Sequence, residues 1–291
     1  MPESTEIDLS WVGTLKEKVD THLVALLANN HDSSGQLHQA MRYSVMAGGK
    51  RIRPILAIAS YRATGGKNDE ILTPACTLEM LHTYSLIHDD LPCMDDDDFR
   101  RGQPTLHRKF SEYLAVLAGD ALHALAFELL AQTGNSEIVV EIGRAIGTTG
   151  MLGGQVMDVE AEGKEITLQQ VEDIHKRKTA ALIAASVKLG AMLAKAPVLQ
   201  INQLETFGHK LGLAFQIVDD ILDVEGDPIT LGKSVGADDR LAKATYPKVV
   251  GLQRSKEIAK DLICQAKMAL EDFPEKDVFF QLADYILSRE H

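Results

Sequence analysis

Aromatic side chains are scarce in this chain, at 5% of its residues with a single Trp, and cysteine is scarcer still. The three cysteines, Cys76, Cys93 and Cys264, are odd in number, far apart and without any C-x-x-C pair. That excludes a disulfide framework and a cysteine-based zinc site, and leaves them as ordinary small hydrophobes. Basic charge is in deficit as well: 30 Lys and Arg stand against 42 Asp and Glu, a net charge of −12. A nucleic-acid partner, which calls for a basic stripe, is therefore not expected. The opening MPESTEIDLS has neither a basic n-region nor an apolar h-region, so no secretory signal is expected. Asp120, Lys188 and Lys195 interrupt the best apolar runs, so no membrane span is expected either, and the chain reads as soluble and cytoplasmic. No period-two alternation bounded by hairpin turns and no low-complexity tract is found, which argues against both a sheet and a second domain.

What is present is apolar and helical. With 291 residues, 45% of them hydrophobic, the chain can bury a large core. The punctuation predicts an all-α single domain of roughly ten helices over 1–291. The first starts at a Ser10 cap and ends near Asn29 and Asn30; the second runs from Gln36 to Ala47. A third opens with Pro54 and closes at Gly65-Gly66, and a fourth takes Thr73 as cap and Pro74 at its first position. Ser111–Gln132, Ser136–Ala161, Thr167–Ala194 with a Thr167/Gln170 capping box, and Val198–Asp223 follow. A glycine-rich loop over 225–239 and two or more helices ending near Leu287 finish the chain.

The stretch Asp89 to Gly102, DDLPCMDDDDFRRG, packs six aspartates and two arginines into fourteen residues directly after a mostly apolar helix. Asp89 and Asp95 are six apart, on different faces of a straight helix, but Pro92 breaks the helix and lets the loop carry Asp95 back. A second cluster, Asp219-Asp-Ile-Leu-Asp223, places Asp219 and Asp223 on one helical face about 6 Å apart. Asp220 points roughly 100° away from it. Such carboxylates repel one another and are costly to bury unpaired, so they call for a cation. Oxygen-only ligands at this density suit Mg²⁺, which takes one or two carboxylates and fills its shell with water and phosphate oxygens. A solvated acidic surface and a metal-dependent phosphohydrolase built on His88-Asp89 stay open as readings. An EF-hand does not, since Leu91, Cys93 and Met94 stand where it needs two oxygen ligands and a glycine.

A diphosphate held through metals also needs cationic donors. Gly48-Gly-Lys50-Arg-Ile-Arg53 couples a glycine pair to basic residues at a helix mouth, where backbone amides favour anions as well. Arg100-Arg101, Lys178, Lys233 and Lys243 complete the set, each equally readable as a surface cation when taken alone.

Together these motifs resemble the trans-prenyl diphosphate synthases over essentially the whole chain, most of all the bacterial farnesyl diphosphate synthases. The residues that carry the resemblance are Asp89-Asp90-Leu-Pro-Cys-Met-Asp95, Asp219-Asp220-Ile-Leu-Asp223, Gly48-Gly-Lys50, Arg100-Arg101, Lys178-Thr179, Phe215-Gln216 and Gly232-Lys233. The resemblance implies a homodimer of helical bundles, each around a deep central cavity; residues 1–6 of the single domain are expected to be flexible. It implies that Asp89 and Asp95 hold two Mg²⁺ ions and Asp219 a third, supported by Asp90 and Asp223. Arg100, Lys178, Thr179, Gln216, Lys233 and Lys243 would meet the allylic substrate, dimethylallyl or geranyl diphosphate. Lys50, Arg53, His82 and Arg101 would hold isopentenyl diphosphate. Tyr84 and Ser85, just upstream of Asp89, would set product length at farnesyl diphosphate. A geranylgeranyl diphosphate synthase, a terpene cyclase and a non-catalytic partner subunit remain alternatives.

Overall fold

The computed structural model describes residues 10–28, 35–225 and 243–289, so Lys233 with its loop, residues 1–6 and Asn29–Asn30 lie outside the described residues. The chain is all-α, as the sequence predicts. Its helices are α1 Ser10–Leu26, α2 Gly35–Val45, α3 Ile52–Ala63, α4 Leu72–Asp89, α5 Leu106–Lys109, α6 Glu112–Ala131 and α7 Ser136–Ile146. They continue as α8 Met151–Ala161, α9 Leu168–His175, α10 Ala181–Leu193, α11 Val198–Glu225, α12 Tyr246–Val250, α13 Leu252–Ala269 and α14 Lys276–Leu287.

Among the described residues the helices outnumber the ten expected, for physical reasons that differ by site. The helix anticipated over 136–161 is two, because the chain extends at Gly147 and Gly150 and only resumes helical geometry at Met151. The helix anticipated over 167–194 begins with the expected Thr167/Gln170 capping box but is interrupted by one π-helical turn, Lys176–Ala180. Thr73 is not a cap: α4 starts at Leu72 without a side-chain cap, and the Thr73 hydroxyl meets His22 Nε2 at 2.8 Å instead. A two-residue antiparallel ladder pairs Phe99–Arg100 with Gln103–Pro104, a small hairpin where no strand was expected.

α3 is buried from Ile52 to Tyr61 and α4 from Pro74 to Leu81, so both are central helices enclosed on every side. α10 lies against α3 and α11, α4 against α6, and α11 against α13. The α10–α11 approach is close enough to require glycine: a Cβ at Gly208 would sit 2.6 Å from the Ala184 Cα. One helix departs from expectation in another way. Glu112–Ala131 is long and apolar enough to cross a membrane by length and composition, Asp120 notwithstanding. Its inward positions Leu114, Ala118, Leu122 and Ala126 are buried, while Tyr113 and Leu117 are exposed.

Candidate active site

The first aspartate cluster is built by the end of α4 folding back on itself. Asp95 N–H donates to the Asp89 carbonyl at 2.8 Å and Met94 N–H to Leu91 O at 2.8 Å, with Pro92 exposed at the bend. The six-residue spacing is thereby closed, as the proline predicts. Burial raises the Asp89 carboxyl above its ordinary value and the Asp95 charge adds to this, opposed by Lys178, Arg100 and Lys243. Lys243 reaches across from beyond the 226–242 segment to place its Nζ 3.0 Å and 3.1 Å from the two Asp95 oxygens. Asp90 goes elsewhere: its Oδ1 accepts from Arg100 Nε and Nη2, both at 2.6 Å. Burial pushes Asp90 up to about 6 even against that guanidinium. Arg100 thus faces Asp90, and Asp97 at 3.6 Å.

Lys178 and Thr179 sit on the π turn, from which the Lys178 ammonium feels the charges of Asp158, Asp89 and Asp95. Lys178 Nζ donates to Asp158 Oδ2 at 2.6 Å, and Thr179 Oγ1 to Gln216 Oε1 at 2.6 Å. Burial alone would raise Asp158, but the Lys178 ammonium holds it below its ordinary value. The turn is seated on Gly154 of α8, where a Cβ would come 2.3 Å from the Lys178 backbone nitrogen. Asp158 is a site residue that the motif reading missed. The available signal was a single acid inside the apolar run Met151–Val159, on the same helix face as Gln155, with both buried.

In the second cluster Asp219 is part-exposed and Asp223 buried, while Asp220 points away into its own set of partners, as the spacing predicts. Arg289 Nη2 lies 2.8 Å from Asp219 Oδ1, its guanidinium 4.6 Å from the centre of the Phe215 ring. Lys50 belongs to this neighbourhood: burial, then the Arg289 charge, lowers it to about 8, against the pull of Asp219. Arg53 is 8% exposed and burial lowers it to about 10, with Glu79 and Asp219 opposing and Arg101 adding. Its Nε finds no acceptor among the described residues. Arg101 donates to Gly48 O and lies 3.9 Å from Glu79. His82 is held neutral, driven well down by burial and then by the Arg53 and Arg101 charges. Behind this group Arg51, in left-handed geometry at φ 53, donates to Asp20 at 2.8 Å, Glu79 at 2.6 Å and Val45 O at 2.7 Å. That fixes Glu79 as the buried counter-charge of the arginines.

Five residues before Asp89 on α4, Tyr84 is buried and packs edge-on against His88 and His123 at 5.8 Å and 5.1 Å. Burial pushes its hydroxyl up to about 12, and the Asp89 charge adds to this. The Ser85 hydroxyl is turned to the backbone, donating to His82 O at 2.8 Å. Asp89, Asp95, Asp219 and Asp223 offer oxygen donors only, and among the described residues no three acidic, His or Cys groups close into a ready ligand cage. Such a donor set fits a hard cation that completes its octahedron with water and phosphate oxygens.

Comparison with known proteins agrees with this geometry. The family model described as Polyprenyl synthetase matches residues 34–279. A farnesyl diphosphate synthase of Bacillus subtilis (strain 168) is 43% identical, over 97% of this chain and 98% of its own length. The large subunit 1 of a heterodimeric chloroplastic geranylgeranyl pyrophosphate synthase of Arabidopsis thaliana is 46% identical, over 88% of this chain and 73% of its own. Among solved structures, a Helicobacter pylori geranyltransferase complexed with magnesium and isoprenyl diphosphate superposes with a TM-score of 0.83 at 35% identity, covering 99% of this chain and 98% of that one.

Proposed function

Given that the chain belongs to the polyprenyl synthetase family, we propose that it is a Mg²⁺-dependent farnesyl diphosphate synthase. It condenses dimethylallyl and then geranyl diphosphate with isopentenyl diphosphate, head to tail, releasing pyrophosphate at each step. The observation that carries this reading is the division of the cations into two groups. Lys178 and Lys243 attend Asp89 and Asp95. Arg53, Arg101 and neutral His82 form a second group, in which the Arg101 charge acts on Arg53 and both act on His82, and Asp219 acts on Arg53 and on Lys50 beside them. A cyclase that ionises one diphosphate has no use for the second group; an enzyme that joins two diphosphates needs both.

Asp89, Asp95 and Asp219 would hold the magnesium, three ions per site, with Asp223 in support. Magnesium so held neutralises charge on the leaving diphosphate. Lys178, Lys243 and, from outside the described residues, Lys233 hold the allylic diphosphate, and Arg100 exchanges Asp90 for it when substrate arrives. The buried, incompletely satisfied Arg53, with Lys50, Arg101 and neutral His82, binds the second diphosphate and keeps its double bond at attack distance from the allylic carbon. The oxygens of Thr179 and Gln216, hydrogen-bonded to each other, stabilise the allylic cation. Buried Tyr84 closes the floor beneath Asp89 and stops growth at fifteen carbons, with Ser85 beside it.

A geranylgeranyl product is the second reading, favoured by the similarity to the plant relative. The proposal includes a cytoplasmic homodimer, supported by the exposed apolar side chains Tyr113 and Leu117 of α6 and Leu152 and Val156 of α8. Purified protein, Mg²⁺, labelled isopentenyl diphosphate and an allylic starter test the reaction, with products read by mass spectrometry. A C15 diphosphate that disappears in Asp89→Ala is expected. No incorporated label would sink elongation in favour of a cyclase or a partner subunit, and phosphate release from simple phosphoesters would favour the phosphohydrolase.

A further inference from the structure

Asp220 has no part in the metal set proposed above, yet it is 2% exposed and placed at the centre of a hydrogen-bonded chain. Its Oδ1 accepts from Gln216 Nε2 at 3.0 Å. Its Oδ2 accepts the Tyr246 backbone N–H at 3.1 Å and lies 3.6 Å from Nε2 of His175, a ring stacked on Tyr246. A carboxylate offers only acceptors, so Gln216 must turn its amide NH₂ towards Asp220 and its carbonyl oxygen the other way. On that other side stands Thr179, donating its hydroxyl to the Gln216 oxygen at 2.6 Å. The polarity of every bond in the chain is therefore dictated from Asp220 outward. The same carboxylate ties down the start of α12, three residues after Lys243, whose ammonium reaches Asp95.

We propose that Asp220 is a positioning residue that locks the Gln216 amide so that its oxygen, rather than its nitrogen, lies beside Thr179 at the developing allylic cation. The assignment rests on the prenyl-transfer reading above. An amide oxygen carries the partial negative charge that stabilises a cation; the same amide turned over presents the positive NH₂ end and opposes it. The diphosphates, held by lysines, arginines and metal, are not touched by this inversion.

Asp220→Asn tests it with almost no change in shape. The introduced asparagine satisfies the Tyr246 N–H with its oxygen and turns its own NH₂ to Gln216, which must invert to accept and so points its nitrogen at Thr179. The expected result is a fall in kcat of about a hundredfold, with KM for both diphosphates within about threefold of the parent. Gln216→Glu supplies the converse. Alone it sets two carboxylates face to face and lowers activity; combined with Asp220→Asn it accepts from both the introduced asparagine amide and the Thr179 hydroxyl, and recovers about tenfold or more over either single variant. Parental kcat in Asp220→Asn would overturn the proposal. A KM effect in place of the kcat effect would make Asp220 a diphosphate or cation ligand, and a double variant no better than the singles would make it plain packing. If the parent itself incorporates no isopentenyl unit, the functional reading falls and this role with it. An active parent with an equally active Asp220→Asn overturns the positioning role alone.

Discussion

The ion pair between Lys178 and Asp158 separates what holds the fold from what performs the chemistry. Nζ lies 2.6 Å from Oδ2, with the side chains 24% and 9% exposed. Asp158→Asn strands the ammonium, leaving Asp89 as the strongest remaining anion acting on it. At an effective dielectric of about 20, unit charges about 4 Å apart attract by about 4 kcal/mol. Recovered hydration and the pull of Asp89 offset part of this, so the expected net loss is about 2–3 kcal/mol, or roughly 3–5 °C in Tm for a chain of this length. Lys178→Met should cost about as much by stranding Asp158. The double variant Asp158→Asn/Lys178→Met, with neither charge left, should return to within about 1 kcal/mol of the parent while staying inactive. The acid limb supplies an independent check. Because Lys178 holds Asp158 below its ordinary value, the stabilisation is complete above the unfolded carboxyl value and is lost as pH falls through the depressed folded one. The gap between parent and Asp158→Asn therefore closes as the solution is acidified below about pH 4. Urea unfolding followed by circular dichroism, with pyrophosphate release measured alongside, reads all three variants. A single variant as stable as the parent, or a double variant no better than Asp158→Asn, would refute the reasoning.

Tyr84→Ala should open the floor below Asp89 and shift the product from C15 to C20 or longer, read by mass spectrometry of the extracted diphosphates; an unchanged C15 product would return Tyr84 to simple packing. Gly154→Ala drives a methyl into the Lys178 backbone, which side-chain rotation cannot relieve. It should cost about 1–3 kcal/mol and lower kcat far more than KM, checked by thermal melts and steady-state kinetics. Arg51→Leu leaves Glu79 buried against no guanidinium of its own and should cost about 3 kcal/mol or more, seen as a lowered urea midpoint. Mg²⁺ with pyrophosphate should raise Tm, since ligands of the folded state add about 2.7 kcal/mol at a hundredfold excess over Kd, and Asp89→Ala should remove most of that rise.

The sequence made some of this legible and hid the rest, for reasons that can be named. The return of Asp95 to Asp89 followed from Pro92, because proline acts locally and its effect on the chain is the same in any context. The outward turn of Asp220 followed from the angular step of a helix. Asp158 showed only as a lone acid in an apolar run, and periodicity cannot distinguish an acid that is buried against a lysine twenty residues on from one that is solvated. Thr73 had the composition of a cap, but a threonine hydroxyl serves equally well as a tertiary partner, and His22 claimed it. The break between α7 and α8 was missed because an isolated glycine is tolerated in a helix, whereas here the chain leaves helical geometry at both Gly147 and Gly150.

The π turn at Lys176–Ala180 works as a change of phase. One residue inserted into a helix rotates everything after it by about 100° relative to everything before. α9 packs against α8, α12 and α11, whereas α10 packs against α3, α7 and α11, so one continuous run of helix addresses two different sets of neighbours. A heptad or moment drawn straight through residues 168–193 would average two faces that never coincide. It follows that a deletion of one residue within 176–180 would leave both hydrophobic stripes intact as sequence and yet put them out of register with each other in space. The damage from such a deletion would therefore spread to every partner of α10 and would not stay at Lys178.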